Sequence, residues 1–300
     1  MTGIGCRLSI WFFMSQPPIT RFAPSPTGLL HRGHAFSALA AWDLAESLGG
    51  EFLLRIEDID TTRCRPEYEV QLKSDLRWLG LSWPEPVRRQ SEHLAEYRAV
   101  SERLQDRGLL YPCFCTRRDI QREIAAAGGA PHGVEGPLYP GTCRGLSGAE
   151  VSRRMNRGEQ YALRLNLERA RSLVAGELTW LDLRHGIQTA FPECLGDVVL
   201  VRKDIGCSYH LCVVLDDALQ QVTHISRGED LFEATHLHRL LQALLDLPVP
   251  MYSHHPLIQD ATGRRLAKRD GAESLLVLRE RGMQAEELRR ELRAVRSSET

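Results

Sequence analysis

Between Ile19 and Gly80 the chain twice alternates a short apolar run with a longer amphipathic one, and no other feature narrows its fold as much. The first run, Ile19 to Phe22, meets a Pro-rich turn (Ala23-Pro24-Ser25-Pro26-Thr27-Gly28). A segment follows in which Ala35, Leu39, Trp42 and Leu44 recur near helical spacing. Glu51 to Ile56 reads as a second buried strand, and Glu67 to Leu79 as a second amphipathic helix stopped by Gly80. Strand, helix, strand, helix is the pattern of an α/β fold on a parallel sheet.

Residues 92–108 predict another helix, after which Leu110 to Gly145 loses periodicity and fills with Gly, Pro and Cys. This stretch reads as an insertion. Strand-like runs return at Gln160–Leu167, Leu178–Asp182, Asp197–Arg202 and Cys212–Leu215, and Glu233–Leu245 reads as a helix, so the parallel sheet is expected to resume near Val198. Residues 273–296 predict one or two charged helices. The expected division is a tail over 1–18 (Met14 being a candidate start), a first half of the sheet domain over 19–109, an insertion over 110–196, and a second half over 197–300.

Composition removes several classes. With 38 Lys+Arg against 39 Asp+Glu the chain is nearly neutral, so a polyanion must be met by a local basic patch rather than by the field of the whole surface. No apolar run approaches the ~20 residues of a membrane helix, and the apolar Ile10–Phe13 lacks the cleavage site of a secretory leader. Of the eight cysteines, five are scattered, which is cytoplasmic usage rather than a disulfide framework. Cys113, Cys115 and Cys143 cluster, and their spacing suggests a metal.

The strongest local signal is His31-Arg32-Gly33-His34, placed after a strand and turn and opening a helix. Two imidazoles at i and i+3 share a helical face beside the positive end of the helix dipole, and Gly33 admits a ligand to the backbone, a corner suited to phosphate. In an isolated HxGH, a pair of capping or surface histidines is the commoner outcome.

The run Arg21-Phe22-Ala23-Pro24-Ser25-Pro26-Thr27-Gly28 followed by HRGH resembles the opening of class I glutamyl-tRNA synthetases with their HIGH motif. Leu54 to Arg63 resembles that family's second-strand segment, Asp216-Asp217 through Thr223 to Asp230 its late catalytic segment, and Arg265-Leu266-Ala267-Lys268-Arg269 its KMSKS loop, with Arg265, Ala267 and Arg269 departing from the motif. The resemblance implies a Rossmann-like parallel-sheet catalytic domain, split by a zinc-containing insertion and followed by short C-terminal helices. Residues 270–300 are far fewer than the ~100 of a typical domain, so no anticodon-binding domain is expected. That pattern is similar to the stand-alone subgroup that modifies queuosine.

By that resemblance the chain would activate L-glutamate with ATP and magnesium, and transfer the glutamyl group to queuosine in the anticodon of tRNA(Asp). His31, His34 and Lys268 would be catalytic; Pro24, His31, Gly33, His34 and Lys268 would bind ATP; Arg21, Phe22, Ala23, Pro24, Ser25, Glu57, Tyr209 and Arg227 would form the glutamate site. The chemistry is coherent, since two carboxylates and an ammonium call for cations and an acid. A strand-end ion pair is the bland reading of Arg21 and Glu57, a packing aromatic that of Tyr209, and a solvated lysine that of Lys268. Resemblance also makes Tyr139 the fourth ligand, with Cys113, Cys115 and Cys143, of one structural zinc; His132 is the chemically ordinary alternative. A cytoplasmic monomer without membrane contact is the family expectation. Arg117-Arg118, Arg153-Arg154 and Arg169 to Arg171 are candidates to follow RNA phosphates or ordinary solvated faces. The competing functions are conventional charging of a tRNA 3′ end, an HxGH nucleotidylyltransferase, and a non-catalytic relic.

Overall fold

The computed structural model describes residues 17–126, 132–133, 136–258 and 273–297. Strand β1 (Ile19–Phe22) leads into helix α1 (Arg32–Ser47), then β2 (Glu51–Ile56), α2 (Pro66–Trp78) and the short β3 (Arg88–Arg89). β2 pairs in parallel with β1 and with β3. Helix α1 buries Ala35, Phe36, Ala38, Leu39, Ala41 and Ala45, and α2 starts with Pro66 at its first position, acids in its first turn and Arg77 in its last, as the helix dipole favours. Gly50 ends the first unit because a Cβ there would run into the Pro18 carbonyl that pairs with Glu51.

Helix α3 (Leu94–Asp106) leads to β4 (Leu110–Cys113), helix α4 (Arg117–Ala126), the two-residue strands β5 (His132–Gly133) and β6 (Gly136–Pro137), helix α5 (Gly148–Asn156), β7 (Ala162–Leu165) and helix α6 (Leu167–Ser172). The hairpin β8 (Thr179–Asp182) and β9 (Gly186–Thr189) follows, then β10 (Val199–Val201), α7 (Tyr209–Leu219), β11 (His224–Gly228), α8 (Ala234–Leu245), β12 (Met251–His255), α9 (Leu275–Glu280) and α10 (Ala285–Ser297).

Three expectations change. Val199–Val201 does not resume the parallel sheet: it pairs antiparallel with β7, which pairs antiparallel with β4, forming a separate small sheet. Cys212–Leu215 is not a strand but the middle of α7, where an apolar run of four is compatible with either period. Arg117–Ala126 is helical inside the stretch that reads as aperiodic. Cys207 and Cys212 are bonded to each other across the start of α7, a single local bridge rather than a framework.

The parallel sheet resumes at β11, which pairs with β12 and, through it, with β8. β1 lies beside β11, the Thr223 N–H donating to the Ile19 carbonyl at 3.0 Å. The chain thus leaves β1 first toward β2 and later toward β11, and the crevice above the carboxyl ends of these strands is where open α/β sheets bind ligands. One apolar core joins α1, α2, α9 and α10 to β1 and β2; another joins α3, α7 and α8 to β11 and to leucines of β4 and β7. The small sheet therefore shares the core of the second half of the chain. Among the described residues no helix is long and apolar enough to cross a membrane.

Candidate active site

A cavity of about 670 Å3 opens at that crevice. Arg21 and Phe22 reach it from the end of β1, Ala23, Pro24 and Ser25 from the turn, His31, Gly33 and His34 from the start of α1, Glu57 from just past β2, Tyr209 from the start of α7, and Arg227 from β11. All the described residues expected in the two binding sites thus line one space. Lys268 lies outside the described residues. Ile258, which precedes that stretch, lines the cavity, and Ser274, which follows it, bridges to His31.

The histidines of the HRGH segment both cap α1 and line the cavity. His31 Nδ1 accepts from the Gly33 N–H at 3.1 Å, and His34 Nδ1 accepts from the His31 N–H at 3.2 Å, a reciprocal cap made with imidazoles. The N–H groups of His31 and Gly33 are therefore satisfied within the protein. A neutral ring whose Nδ1 accepts carries its proton on Nε2. Capping thus turns both rings into Nε2–H donors at the cavity wall, and donors are what phosphate oxygens require.

The charges beneath the cavity are paired in an order the sequence does not reveal. Arg21 does not pair with Glu57: it donates from Nε to Asp217 Oδ1 at 3.0 Å and from Nη2 to Oδ2 at 3.4 Å. Arg55, fully buried, donates to Asp217 at 2.8 Å and to Glu57 at 3.2 Å. Burial alone would raise the Asp217 carboxyl, yet Arg21 and Arg55 hold it below its usual range. Removing Asp217 would take from buried Arg21 its carboxylate partner, a loss of about 3–5 kcal/mol, and leave Arg55 with Glu57 and Asp216, so this residue serves the fold first. Glu57 lines the cavity, and burial pushes it up to about 7 against the pull of Arg55 and Arg21.

Arg227 differs from Arg21. It is only 5% exposed and donates from Nε to His254 Nε2 (3.1 Å), from Nη2 to the Thr235 hydroxyl (2.5 Å), and from Nη1 to His238 Nδ1 (3.2 Å) and, at 3.5 Å, to the Tyr209 hydroxyl. Burial and then Arg227 itself push His238 well below its ordinary value. Burial, against a raising hydrogen bond to Asp182, brings His254 down to about 4. Each of these partners is therefore uncharged near neutral pH, and among the described residues no carboxylate pairs with Arg227. A buried cation without a counter-ion suits an anionic ligand.

Sequence reasoning missed Ser226, Gly228, Asp230 and His255 on the cavity wall, and the partners Asp217, Thr235, His238 and His254 behind it. The run Asp216-Asp217 was visible as part of a resembling segment, but nothing in spacing ties it to Arg21, 196 residues away.

At the far end of the small sheet, Cys113, Cys115 and Cys143 converge with Tyr139. Tyr139 Oη lies 3.4 Å from Cys113 Sγ and 3.6 Å from Cys115 Sγ, and the sulfurs of Cys115 and Cys143 are 3.5 Å apart. Metal–sulfur bonds of 2.3 Å in a tetrahedron separate sulfurs by about 3.8 Å, so these residues fit a closed S3O site. The side chain of His132 lies outside the described residues. Of the arginines considered for RNA, Arg153, Arg154 and Arg171 are paired with Glu150, Glu159 and Glu193.

Residues 19–297 match the family model described as tRNA synthetases class I (E and Q), catalytic domain. The Glutamyl-Q tRNA(Asp) synthetase of Rhodobacter capsulatus is 51% identical over 279 residues, which span 91% of this chain and 98% of that protein. The protein of the same name from Symbiobacterium thermophilum is 44% identical, spanning 89% and 82%. Among solved structures, the glutamate-tRNA synthetase of Elizabethkingia anophelis superposes with a TM-score of 0.72 at 30% identity, over 85% of this chain and 53% of that one. This chain spans about half the length of that synthetase.

Proposed function

The chain belongs to the class I (E and Q) tRNA synthetase catalytic-domain family, and on that premise we propose that it activates L-glutamate with ATP and passes the glutamyl group to queuosine in the anticodon of tRNA(Asp). Membership makes it a ligase and sets aside the nucleotidylyltransferase reading. The names of its relatives support the queuosine acceptor. One observation carries the amino-acid half: an unpaired buried cation, Arg227, faces the same cavity as the acid Glu57 and the donor pair His31 and His34.

In the first step an oxygen of the glutamate α-carboxylate attacks the α-phosphorus of ATP, the bond to the bridging oxygen breaks, and pyrophosphate leaves with its electron pair. The attacking carboxylate must stay free, so Arg227 takes the side-chain carboxylate, with Arg21 adding field from its ion pair. Glu57 takes the ammonium, Tyr209 walls the pocket, and Phe22 to Ser25 provide its floor. Catalysis is then positioning plus stabilisation of charge on phosphate oxygens, supplied by the Nε2–H groups of His31 and His34 and by Lys268. Magnesium travels with ATP and offsets phosphate charge. In the second step the activated carbonyl carbon is attacked by a hydroxyl of the cyclopentene diol, and AMP leaves.

Glu57 gives this reading a pH dependence. Below about pH 7 the substrate-free protein holds Glu57 protonated, and the ammonium loses its counter-charge. KM for glutamate is expected to rise on acidification below pH 7, by up to about tenfold per unit, in pyrophosphate exchange measured from pH 6 to 8; a flat KM would remove Glu57 from the ammonium site.

Cys113, Cys115, Tyr139 and Cys143 would hold one structural zinc, which supplies cross-linking of the loops around β4 and no chemistry of reaction. Cys143→Ser should lower zinc below one per chain and lower Tm; unchanged zinc would contradict the ligand set. A cytoplasmic monomer accords with this reading.

The acceptor is tested by the position of labelled glutamate on tRNA(Asp) with and without queuosine. Label confined to the queuosine-bearing anticodon is expected. Attachment at the 3′ end, or equal labelling of unmodified tRNA, would instead establish the conventional charging that the likeness to glutamate-tRNA ligases favours.

A further inference from the structure

Arg227 of β11 stands opposite His254 of β12 in the parallel register, and Asp182 ends β8 on the other side of β12. The three side chains form a line leading away from the cavity. Arg227 Nε donates to His254 Nε2 at 3.1 Å, and His254 Nδ1 donates to Asp182 Oδ2 at 2.6 Å, both latter side chains being wholly buried. The second carboxylate oxygen, Asp182 Oδ1, accepts from the backbone N–H groups of Arg184 (2.9 Å) and His185 (3.0 Å) and from His185 Nδ1 (3.0 Å). The Thr235 hydroxyl sits 3.2 Å from His254 Nε2 and accepts from Arg227 Nη2.

This line dictates where one proton resides. A guanidinium can only donate, so Arg227 Nε needs an unprotonated Nε2 on His254. A neutral imidazole that accepts at Nε2 has its proton on Nδ1, and an acceptor at Nδ1 keeps it there. Asp182 is that acceptor, and the turn N–H groups on its other oxygen prevent it from rotating away. A carboxylate touching Arg227 directly would compete with an anionic ligand. One placed beyond a neutral ring aims the cation without neutralising it.

We propose that Asp182 and His254 are positioning residues for amino-acid recognition, acting through the tautomer of His254 to aim the Arg227 guanidinium at the side-chain carboxylate of the substrate. The inference rests on reading the cavity as the glutamate site. Asp182 belongs to the 110–196 stretch, none of whose described residues lines the cavity, so this stretch would act on the pocket from behind.

Asp182→Asn tests it with no change of shape. Three N–H donors hold the amide oxygen at the Oδ1 position, so the amide NH2 faces His254 Nδ1, drives the ring proton to Nε2 and sets two donors against each other at Arg227. In glutamate-dependent pyrophosphate exchange, KM for glutamate should rise about 10- to 100-fold, the scale of a lost hydrogen bond to a charged group, while KM for ATP holds. His254→Gln offers Arg227 an amide oxygen without help from Asp182, so its KM should rise less, and adding D182N to H254Q should raise it no further. A wild-type KM in D182N would overturn the proposal, as would equal effects of D182N in both backgrounds. If D182N does not fold, H254F against H254Q decides: Phe removes the acceptor and Gln restores one, and equal KM values would overturn it. Arg227→Met separates the levels. If R227M leaves KM for glutamate unchanged, the glutamate site itself is wrong; if R227M raises it and D182N does not, only the positioning role falls.

Discussion

Arg227→Met is expected to lower kcat/KM for glutamate in pyrophosphate exchange by about 10³-fold, the scale of removing one partner from a buried charge pair. Methionine fills much of the volume of the arginine stem and cannot donate, so the change isolates the guanidinium. The loss should fall mainly on KM, because the side-chain carboxylate is bound alike before and during phosphoryl attack. Preference for glutamate over glutamine should fall with it, since a neutral amide no longer forfeits an ion pair. Arg21 offers a contrast. Its charge is already answered by Asp217 at 3.0 Å, and Arg21→Met would leave that carboxylate with Arg55 alone, so its first effect is on stability. A wild-type kcat/KM in R227M would place the substrate carboxylate elsewhere.

His34→Ala is expected to slow adenylate formation by about 10²- to 10³-fold, the range for loss of one transition-state donor, with glutamate affinity almost unchanged. The same residue caps α1 through Nδ1, so alanine should also destabilise the protein by about 1 kcal/mol. His34→Asn separates the two roles. Its short side chain keeps an acceptor near the His31 N–H and lacks the distal Nε2–H, so Tm should recover while the rate stays low. Recovery of the rate in H34N would mean that the cap, not the donor, is what turnover needs.

The first βαβ unit was legible because its signals are local: apolar alternation for β1 and β2, a Pro-Gly turn, and helix starts with their stops. The second half was harder. Leu211 to Leu215 is apolar whether helix or strand, and only its packing between α3 and α8 decides. Val199–Val201 has a strand's composition in any sheet, and its partner β7 is fixed by tertiary pairing. In the site, the residues announced by short motifs (His31, Gly33 and His34) or by matching segments (Arg21, Glu57 and Arg227) line the one cavity. The residues that set their charge were not. Asp217, His254 and Asp182 reach their partners across 196, 27 and 72 residues, separations at which one sequence holds no pairing signal. For the histidines, a capping role and the proposed functional role need not compete: the cap sets the tautomer that makes each ring a donor.

A crystal of the protein with L-glutamate and an unreactive ATP analogue is the most direct trial of the central claim. The account predicts the side-chain carboxylate of glutamate on Arg227, its ammonium on Glu57, and the α-phosphate within hydrogen-bond reach of His34, all in the one cavity above β1 and β11. Either molecule bound away from that crevice, or glutamate turned so that its ammonium faces Arg227, would contradict it.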